Sequence, residues 1–445
     1  MGSVRYAVVG LVLTAWAGGA CTTVSDPAPA SPDAALAREI LEDDSLREGL
    51  QQARALLRTG LTAGSGYGEV WIRDLNTFIE LALQVNEPEG IREGLLTFFK
   101  FQGEDGNIVD GYIPAERANV AYKYRRSSLA PELLAHKNTV ETDQESSLVQ
   151  AIHKYVEVTG DRALLRVEID GVRVLDRLEA ALEYLLEHRF DADHGLVWGA
   201  TTVDWGDVQP EHEWGVELDE SSHRTIDIYD NAMIVVAIES YLALLGDDGG
   251  ERIARWTARR DELKARIREH LWDVERQKFV PHIYLEGSPF PKDFEEGEIW
   301  YHGGTAVAIE AGLLGQDEIR ASLERMVANV QEAGASSIGL TVYPPYPEGF
   351  FKNPDMAPWS YQNGGDWCWF GGRMIQQLVR YGFAEEAYRE LKPMVHRALE
   401  HDGFYEWWSR DNLPRGSGQF RGSAGVLGRA TEMLLEWAET QTPPE

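Results

Sequence analysis

The chain has 445 residues, 43% of them hydrophobic, and a formal net charge of −31. A chain this acidic repels phosphate backbones, which argues against nucleic acid as a partner, and its length alone suggests two or three domains. Its 14 Trp and 17 Tyr suit either a packed core or the stacking of sugars and other flat apolar faces.

The first twenty residues, "MGSVRYAVVGLVLTAWAGGA", carry one Arg, then an apolar run, then small residues. This pattern predicts a secretory signal peptide over 1–20. Cys21 follows as it does in a bacterial lipoprotein, although Gly18 stands where such sequences usually have Leu. Residues 21–34 read as a flexible tether. The expectation is an exported protein, periplasmic or held at the outer membrane by lipid on Cys21, which touches a membrane nowhere else. Cys368 would then be unpaired, which leaves no disulfide framework and no Cys-based zinc site.

From residue 35 onward helical periodicity dominates, and strand patterns are few. The spacing predicts helices over 35–58, 70–84, 88–101, 142–159, 161–188 and 231–245, then over 249–273, 302–313, 315–332, 364–381, 383–400 and 420–438. Tight links such as "TG", "GDDGG" and "YGF" follow the even-numbered helices, whereas long segments such as 102–141, 189–230 and 333–363 precede them. Short links make antiparallel neighbours, so the chain reads as six helical hairpins. Arranged in a ring, these hairpins gather every long loop at one rim, beside the N-termini of the even helices. The prediction is a single all-α domain over 35–440, an (α/α)6 toroid with its site at the long-loop rim. An open solenoid would need a shared repeat consensus, and none is visible.

Two stretches at that rim stand out. In "KNTVETDQESSLVQAIHKYVEVTGD" (137–161), Glu141, Asp143 and Glu145 crowd one helix start. Thr142 and Glu145 have capping-box spacing, and Glu141 and Asp143 suit a positive helix end, so the local reading is structural. In "HDGFYEWWSRDNLPRGSGQFRGSAG" (401–425), Glu406 sits among Phe404, Tyr405, Trp407 and Trp408. A carboxylate set among aromatics either faces solvent or is held for chemistry in a dry cleft. Two opposed carboxylates at an aromatic-lined mouth are the equipment of glycoside hydrolysis, where one protonates the leaving oxygen and the other deprotonates water.

The chain resembles the (α/α)6 glycoside hydrolases, particularly the alkaline/neutral invertases and more loosely processing glucosidases and glucoamylases. "EVWIRDLNTFIELAL" is similar to their "RD" motif, which implies that Arg73 and Asp74 grip terminal sugar hydroxyls. "TDQESSLVQAIHKYVEVTGD" looks like the invertase form "VDSGLWW…TGD", which implies Asp143 as general acid. "WSYQNGGDW" is close to "YHNGGSW", with Gln362 in place of His and with Asn363, Asp366 and Trp367 beside it. "GFYEWW…QFRGSAG" is similar to "PEYYDG…FQTWSIAG", which implies Glu406 as general base and Gln419 as a sugar-binding residue. These matches run in order over nearly the whole chain, though each covers few residues. "WGATTVDWGDVQPEHEWG" (198–215) has no invertase counterpart and brings Asp204, Trp205, Asp207 and His212 to the rim, so sucrose need not be the substrate.

No HExxH, EF-hand, phosphate loop or dinucleotide fingerprint occurs, so neither a metal nor a cofactor is expected. A general acid at a helix N-terminus would need burial or a nearby carboxylate to keep its proton, and Glu141, Asp74 or Asp366 could supply that charge. Asp230 of "IYDNA" is expected to cap its helix, and Tyr301 and His302 are candidate cup residues. The functional expectation is an exo-acting, inverting glycoside hydrolase acting on a terminal gluco-type bond of an oligosaccharide. Trp71, Trp205, Trp367 and Trp407 would stack on the sugar, with Asp207 helping to shape the site. The alternatives are a glycan-binding surface lipoprotein, and an (α/α)6 sugar isomerase or lyase with a His or Tyr base.

Overall fold

The computed structural model describes residues 32–118 and 122–441, so the leader, Cys21 and most of the tether lie outside the described residues. Thirteen α-helices are described: α1 (Pro32–Glu42), α2 (Asp44–Leu57), α3 (Ile72–Leu83), α4 (Pro88–Phe99), α5 (Gln144–Thr159), α6 (Val174–His188) and α7 (Ile228–Leu245), then α8 (Glu251–His270), α9 (His302–Glu310), α10 (Gln316–Ala333), α11 (Cys368–Arg380), α12 (Ala384–Glu400) and α13 (Arg421–Gln441). Helices α3, α5, α7, α9, α11 and α13 each pack against the next, and α13 closes the ring on α3. Helices α2, α4, α6, α8, α10 and α12 lie outside them. This is the (α/α)6 toroid.

Composition explains which helix lies where. The inner helix α7, "IYDNAMIVVAIESYLALL", is apolar almost all round and buried on nearly every side. By length and hydropathy it could cross a membrane, yet 78% of it is buried within the ring. Its outer partner α8, "ERIARWTARRDELKARIREH", buries only Trp256, Leu263 and Ile267. A helix that is apolar all round needs neighbours on all sides, and one that is charged on most faces belongs at the surface.

The element boundaries depart from the sequence reading in instructive places. The first predicted helix breaks at Asp43, whose carboxylate accepts from Ser45 N and caps α2. The predicted 161–188 helix opens as a 3₁₀ turn and then a small hairpin, in which Asp170 (φ 51°) and Gly171 (φ 74°) join Glu168–Ile169 to Val172–Arg173. Asp-Gly tolerates left-handed backbone at both turn positions and overrides the helical pattern around it. The predicted 364–381 helix starts only at Cys368. The long segments also hold short antiparallel strands of two to five residues, which stiffen the rim.

Candidate active site

Three segments build the floor and near wall of a cavity at the long-loop rim. The strand Val70–Trp71 pairs with Gly111–Pro114, which pairs in turn with Leu133–His136. This three-stranded sheet sets Trp71, Arg73 and Asp74 at the start of α3 beside Asp110. A Cβ at position 111 would collide with the Trp71 indole, so glycine is required there. The loop that leads into α5 supplies Asn138 and Glu141.

The opposite wall comes from later in the chain. The strand Tyr405–Trp408 pairs with Pro414–Gly418 and carries Glu406. Its carboxylate accepts from Tyr67 Oη at 2.9 Å and from Ser417 N at 2.7 Å. Gly416 has φ 67°, and a Cβ there would meet the Glu406 carboxyl, so the hairpin turn and the acid require each other. Trp205 and Asp207 come from the 189–227 segment, and Tyr361, Gln362, Trp367 and Trp369 from the α10–α11 connection and the start of α11. Trp205 stacks on Phe370 with ring centroids 4.6 Å apart and meets Trp367 and Trp369 edge-on. Gln362 Nε2 donates to Asp207 Oδ1 at 2.6 Å.

Burial dominates the electrostatics. It pushes the Glu406 carboxyl up to about 7, and the charge of Asp207 adds to the rise. It raises Asp74 to about 8, with Arg73 opposing and Glu406 and Asp110 adding, and Asp110 to about 7. Glu141 is held well above the ordinary carboxylate range by burial, against the pull of Arg73. His136, buried against Tyr122, falls to about 4 and is neutral at pH 7.

Of the residues expected from sequence, Trp71, Arg73, Asp74, Trp205, Asp207, Gln362, Trp367 and Glu406 line this one cavity. Asp143 does not. It is wholly buried beneath the floor, where Arg73 Nε and Nη2 reach its two oxygens at 2.7 and 3.2 Å and Tyr229 Oη donates at 2.8 Å. A carboxylate gripped by a guanidinium and a phenol beneath the floor is out of reach of a leaving oxygen, so the geometry does not fit the proton-donor role that the invertase motif implied. Glu145 is structural, but not as a capping box. Its Oε1 accepts from Ile108 N and Lys137 Nζ, while Thr142 Oγ1 donates to Trp198 O.

The other expectations are corrected by equally specific contacts. Asn363 ties Tyr346 and Met356 backbone together, and Asp366 pairs with Arg397 at 2.6 Å. Trp407 lies outside the cavity against Tyr361, and Gln419 has a left-handed backbone and stays out of the lining, leaving its neighbour Phe420 to form the wall. Asp204 caps α9 through Gly304 N, and Asp227 rather than Asp230 caps α7. His302 contacts Asn329, Tyr301 contacts Tyr346, and neither lines the cavity. Sequence reasoning missed Tyr67, Asp110, Tyr122, Asn138, Tyr361 and Trp369 as lining residues. For Asp110 the available signal was a carboxylate opening the buried strand "GYIP". Among the described residues, no group of three or more His, Cys, Asp or Glu is arranged to hold a metal ion.

No protein-family model and no curated protein matches the sequence. Solved structures do share the fold. The GH63 mannosylglycerate hydrolase from Thermus thermophilus, in complex with Tris and D-glycerate, superposes with a TM-score of 0.61 at 19% identity, covering 86% of this chain and 99% of that one. The rhamnosidase from Klebsiella oxytoca with rhamnose bound gives 0.57 at 14% identity over 88% of this chain and 64% of that one. The GH78 rhamnosidase of a Bacillus species gives 0.59 at 16%, over 87% of this chain but only 34% of that longer one. The (α/α)6 architecture expected from sequence is therefore the fold of solved glycoside hydrolases.

Proposed function

We propose that the chain is an exo-acting glycoside hydrolase that works with inversion, with Glu406 as general base and Asp207 as proton donor. The observation that carries this reading is the pair itself. Both carboxyls line one aromatic-walled cavity, and Asp207 is close enough for its charge to raise Glu406. Among the described residues neither has an ion-pair partner, unlike Glu141, whose Oε1 lies 2.9 Å from Arg73 Nη2. Glu406, fixed by Tyr67 and Ser417, takes a proton from a water that attacks the anomeric carbon. Asp207 gives its proton to the glycosidic oxygen as the bond to the leaving group breaks. The indoles of Trp205, Trp367 and Trp369 keep the site dry and offer faces for the sugar ring. The preferred substrate is an oligosaccharide entered from its terminal, gluco-type residue.

The likeness of fold to glycosidases supports this chemistry but does not name the sugar. A panel of aryl α- and β-glycosides and disaccharides, with the first-formed anomer followed by NMR, tests it. Inversion at a turned-over substrate is the expected result. Retention would remove the inverting scheme, and saturable sugar binding without turnover on any substrate would leave a glycan-binding protein. We also propose export and lipid attachment at Cys21, supported by the apolar leader and the small residues before it. Fatty-acid labelling that persists in Cys21→Ser would overturn that part.

A further inference from the structure

Two long connections meet at the cavity wall, one carrying Asp207 and the other Gln362. Gln362 is 1% exposed, and both ends of its amide are used on one partner. Its Nε2 donates to Asp207 Oδ1 at 2.6 Å, and its Oε1 accepts from Asp207 N at 3.4 Å. The amide cannot turn over, because a flipped side chain would set its N–H groups against the backbone N–H and its oxygen against the carboxylate. Protonation of Oδ1 would relieve only one of those two clashes. The contact is also close. A Cβ at Gly206 would come within 2.7 Å of Gln362 Oε1 and 2.9 Å of Val203 O, so glycine at that position lets the loop settle on the amide.

The turn that presents this amide is itself fixed. Gln362 O accepts from Thr341 Oγ1 at 2.8 Å. The next residue, Asn363, accepts from Tyr346 N at 2.7 Å and donates to Tyr346 O and Met356 O at 3.0 and 2.9 Å. Asp207, by contrast, is only half-buried, and among the described residues its Oδ2 has no hydrogen-bond partner. Its charge acts on Glu406, Asp110 and Glu141, which places the carboxyl toward the middle of the cavity. One oxygen is tied to the wall and the other is open.

We infer that Gln362 is the positioning residue of the proton donor: its amide reserves Asp207 Oδ1 as an acceptor, so the proton delivered to the glycosidic oxygen is carried on Oδ2. This rests on the reading of Asp207 as that donor. The O–H bond on Oδ2 breaks as the proton passes to the glycosidic oxygen, and the electron pair of the breaking C–O bond stays on the leaving oxygen. The charge left on Asp207 meets a donor already in place at Oδ1, so nothing has to reorganise at that moment. Gln362 acts through Asp207 rather than on the sugar. Displacing the acid by about 1 Å is enough to cost up to about 10²-fold in rate.

The test compares kcat and KM of the full chain on glycosides of one sugar with good and poor leaving groups. Gln362→Met keeps the size and loses the N–H. It should lower kcat by about tenfold or more on a poor leaving group and by less than about twofold on a good one, with KM nearly unchanged. Gln362→His can donate again through a ring N–H and should recover most of the loss. Gly206→Ala pushes the amide from the opposite side and should show the same leaving-group dependence. It decides the matter if melting curves show that Gln362→Met is unfolded. In an Asp207→Asn background Gln362→Met should cost little more, because the proton it positions is gone. An equal loss on all leaving groups, a change confined to KM, or no recovery in Gln362→His overturns the inference. Where Asp207→Asn still depends on the leaving group, those results leave the donor reading standing and remove the inference alone. If Asp207→Asn is itself indifferent to the leaving group, or no glycoside is turned over, the donor reading falls and the inference falls with it.

Discussion

Two acidic stretches meet at the same rim and end in opposite conditions. At the start of α5, Asp143 and Glu145 are both fully buried, and each has its own cation, Arg73 for one and Lys137 for the other. On the Tyr405–Trp408 strand, Glu406 is also buried but, among the described residues, has no cation, only the neutral donors Tyr67 and Ser417. Burial costs both sites the hydration of a charge. The first site offsets that cost with ion pairs and becomes scaffold. The second leaves it uncompensated, so its carboxyl rises to about 7 and faces the cavity, ready to exchange a proton. Usable acids are the ones the fold declines to neutralise.

The sharpest way to break this contrast is to remove the uncompensated group. Glu406→Gln keeps the shape, with its one amide oxygen accepting from Ser417 N and its amide N–H donating to the Tyr67 hydroxyl, but it cannot take a proton from water. Turnover should fall by roughly 10³-fold with melting temperature little changed, measured as kcat on an aryl glycoside. A variant that stays active with folding intact would take Glu406 out of the chemistry. Asp207→Asn comes next, with a loss of about 10²-fold on substrates with poor leaving groups and partial recovery when the leaving group is a good one. A loss independent of the leaving group would make Asp207 a binding residue instead.

The ring was legible in the sequence because alternating connection lengths and helical period are local patterns that burial then obeys. The cavity was half legible. Trp71, Arg73 and Asp74 open an inner helix and Glu406 stands among aromatics, and the likeness to the invertase motifs pointed to Arg73, Asp74 and Glu406. Asp143 shows where this reasoning stops. Its motif and its place at the helix start are as expected, but its partners Arg73 and Tyr229 lie 70 and 86 residues away in sequence. No local pattern reports that a distant cation has claimed a carboxylate. Asp366 and Asn363 failed for the same reason, each consumed by contacts from neighbouring segments. Asp207 entered as a substrate-shaping residue of a rim loop, and the proton-donor role proposed for it depends on the cavity that folding assembles around it.

A third prediction follows from the raised carboxyls. Glu406 must be ionised to act as base, so kcat should climb about tenfold per pH unit as pH rises toward a midpoint near 7. Stability should run the other way. A carboxyl whose pKa is higher folded than unfolded binds its proton more tightly in the native state. Its favourable contribution is present at low pH and is lost as pH rises from the unfolded value through the folded one. Glu406 moves from 4.5 to about 7, Asp110 from 3.8 to about 7 and Asp74 from 3.8 to about 8. The melting temperature should therefore decline between pH of about 5 and 8, opposite to the rise in activity below the Glu406 midpoint, and Glu406→Gln should remove its share of the decline. A melting temperature that rises over that interval would show that these carboxyls are compensated after all.

The smallest effect should come from the residue that the motif marked most clearly. In Asp143→Asn the amide oxygen can still accept from Arg73 and from Tyr229, and Arg73 keeps Glu141 at 2.9 Å. What disappears is one buried charge from a cluster in which two carboxylates share one guanidinium. Loss of a charge-assisted bond in such a cluster costs about 1–3 kcal/mol, read as a lower melting temperature. Arg73 then shifts slightly at the cavity floor, and turnover should drop only a few-fold. The drop should be the same for good and poor leaving groups, because Asp143 touches no leaving oxygen. That flat response is what separates a positioning residue from a proton donor. If Asp143→Asn instead loses about 10²-fold on poor leaving groups and recovers on good ones, the donor is Asp143 as the motif implied, Arg73 must release it when substrate binds, and Asp207 yields the role.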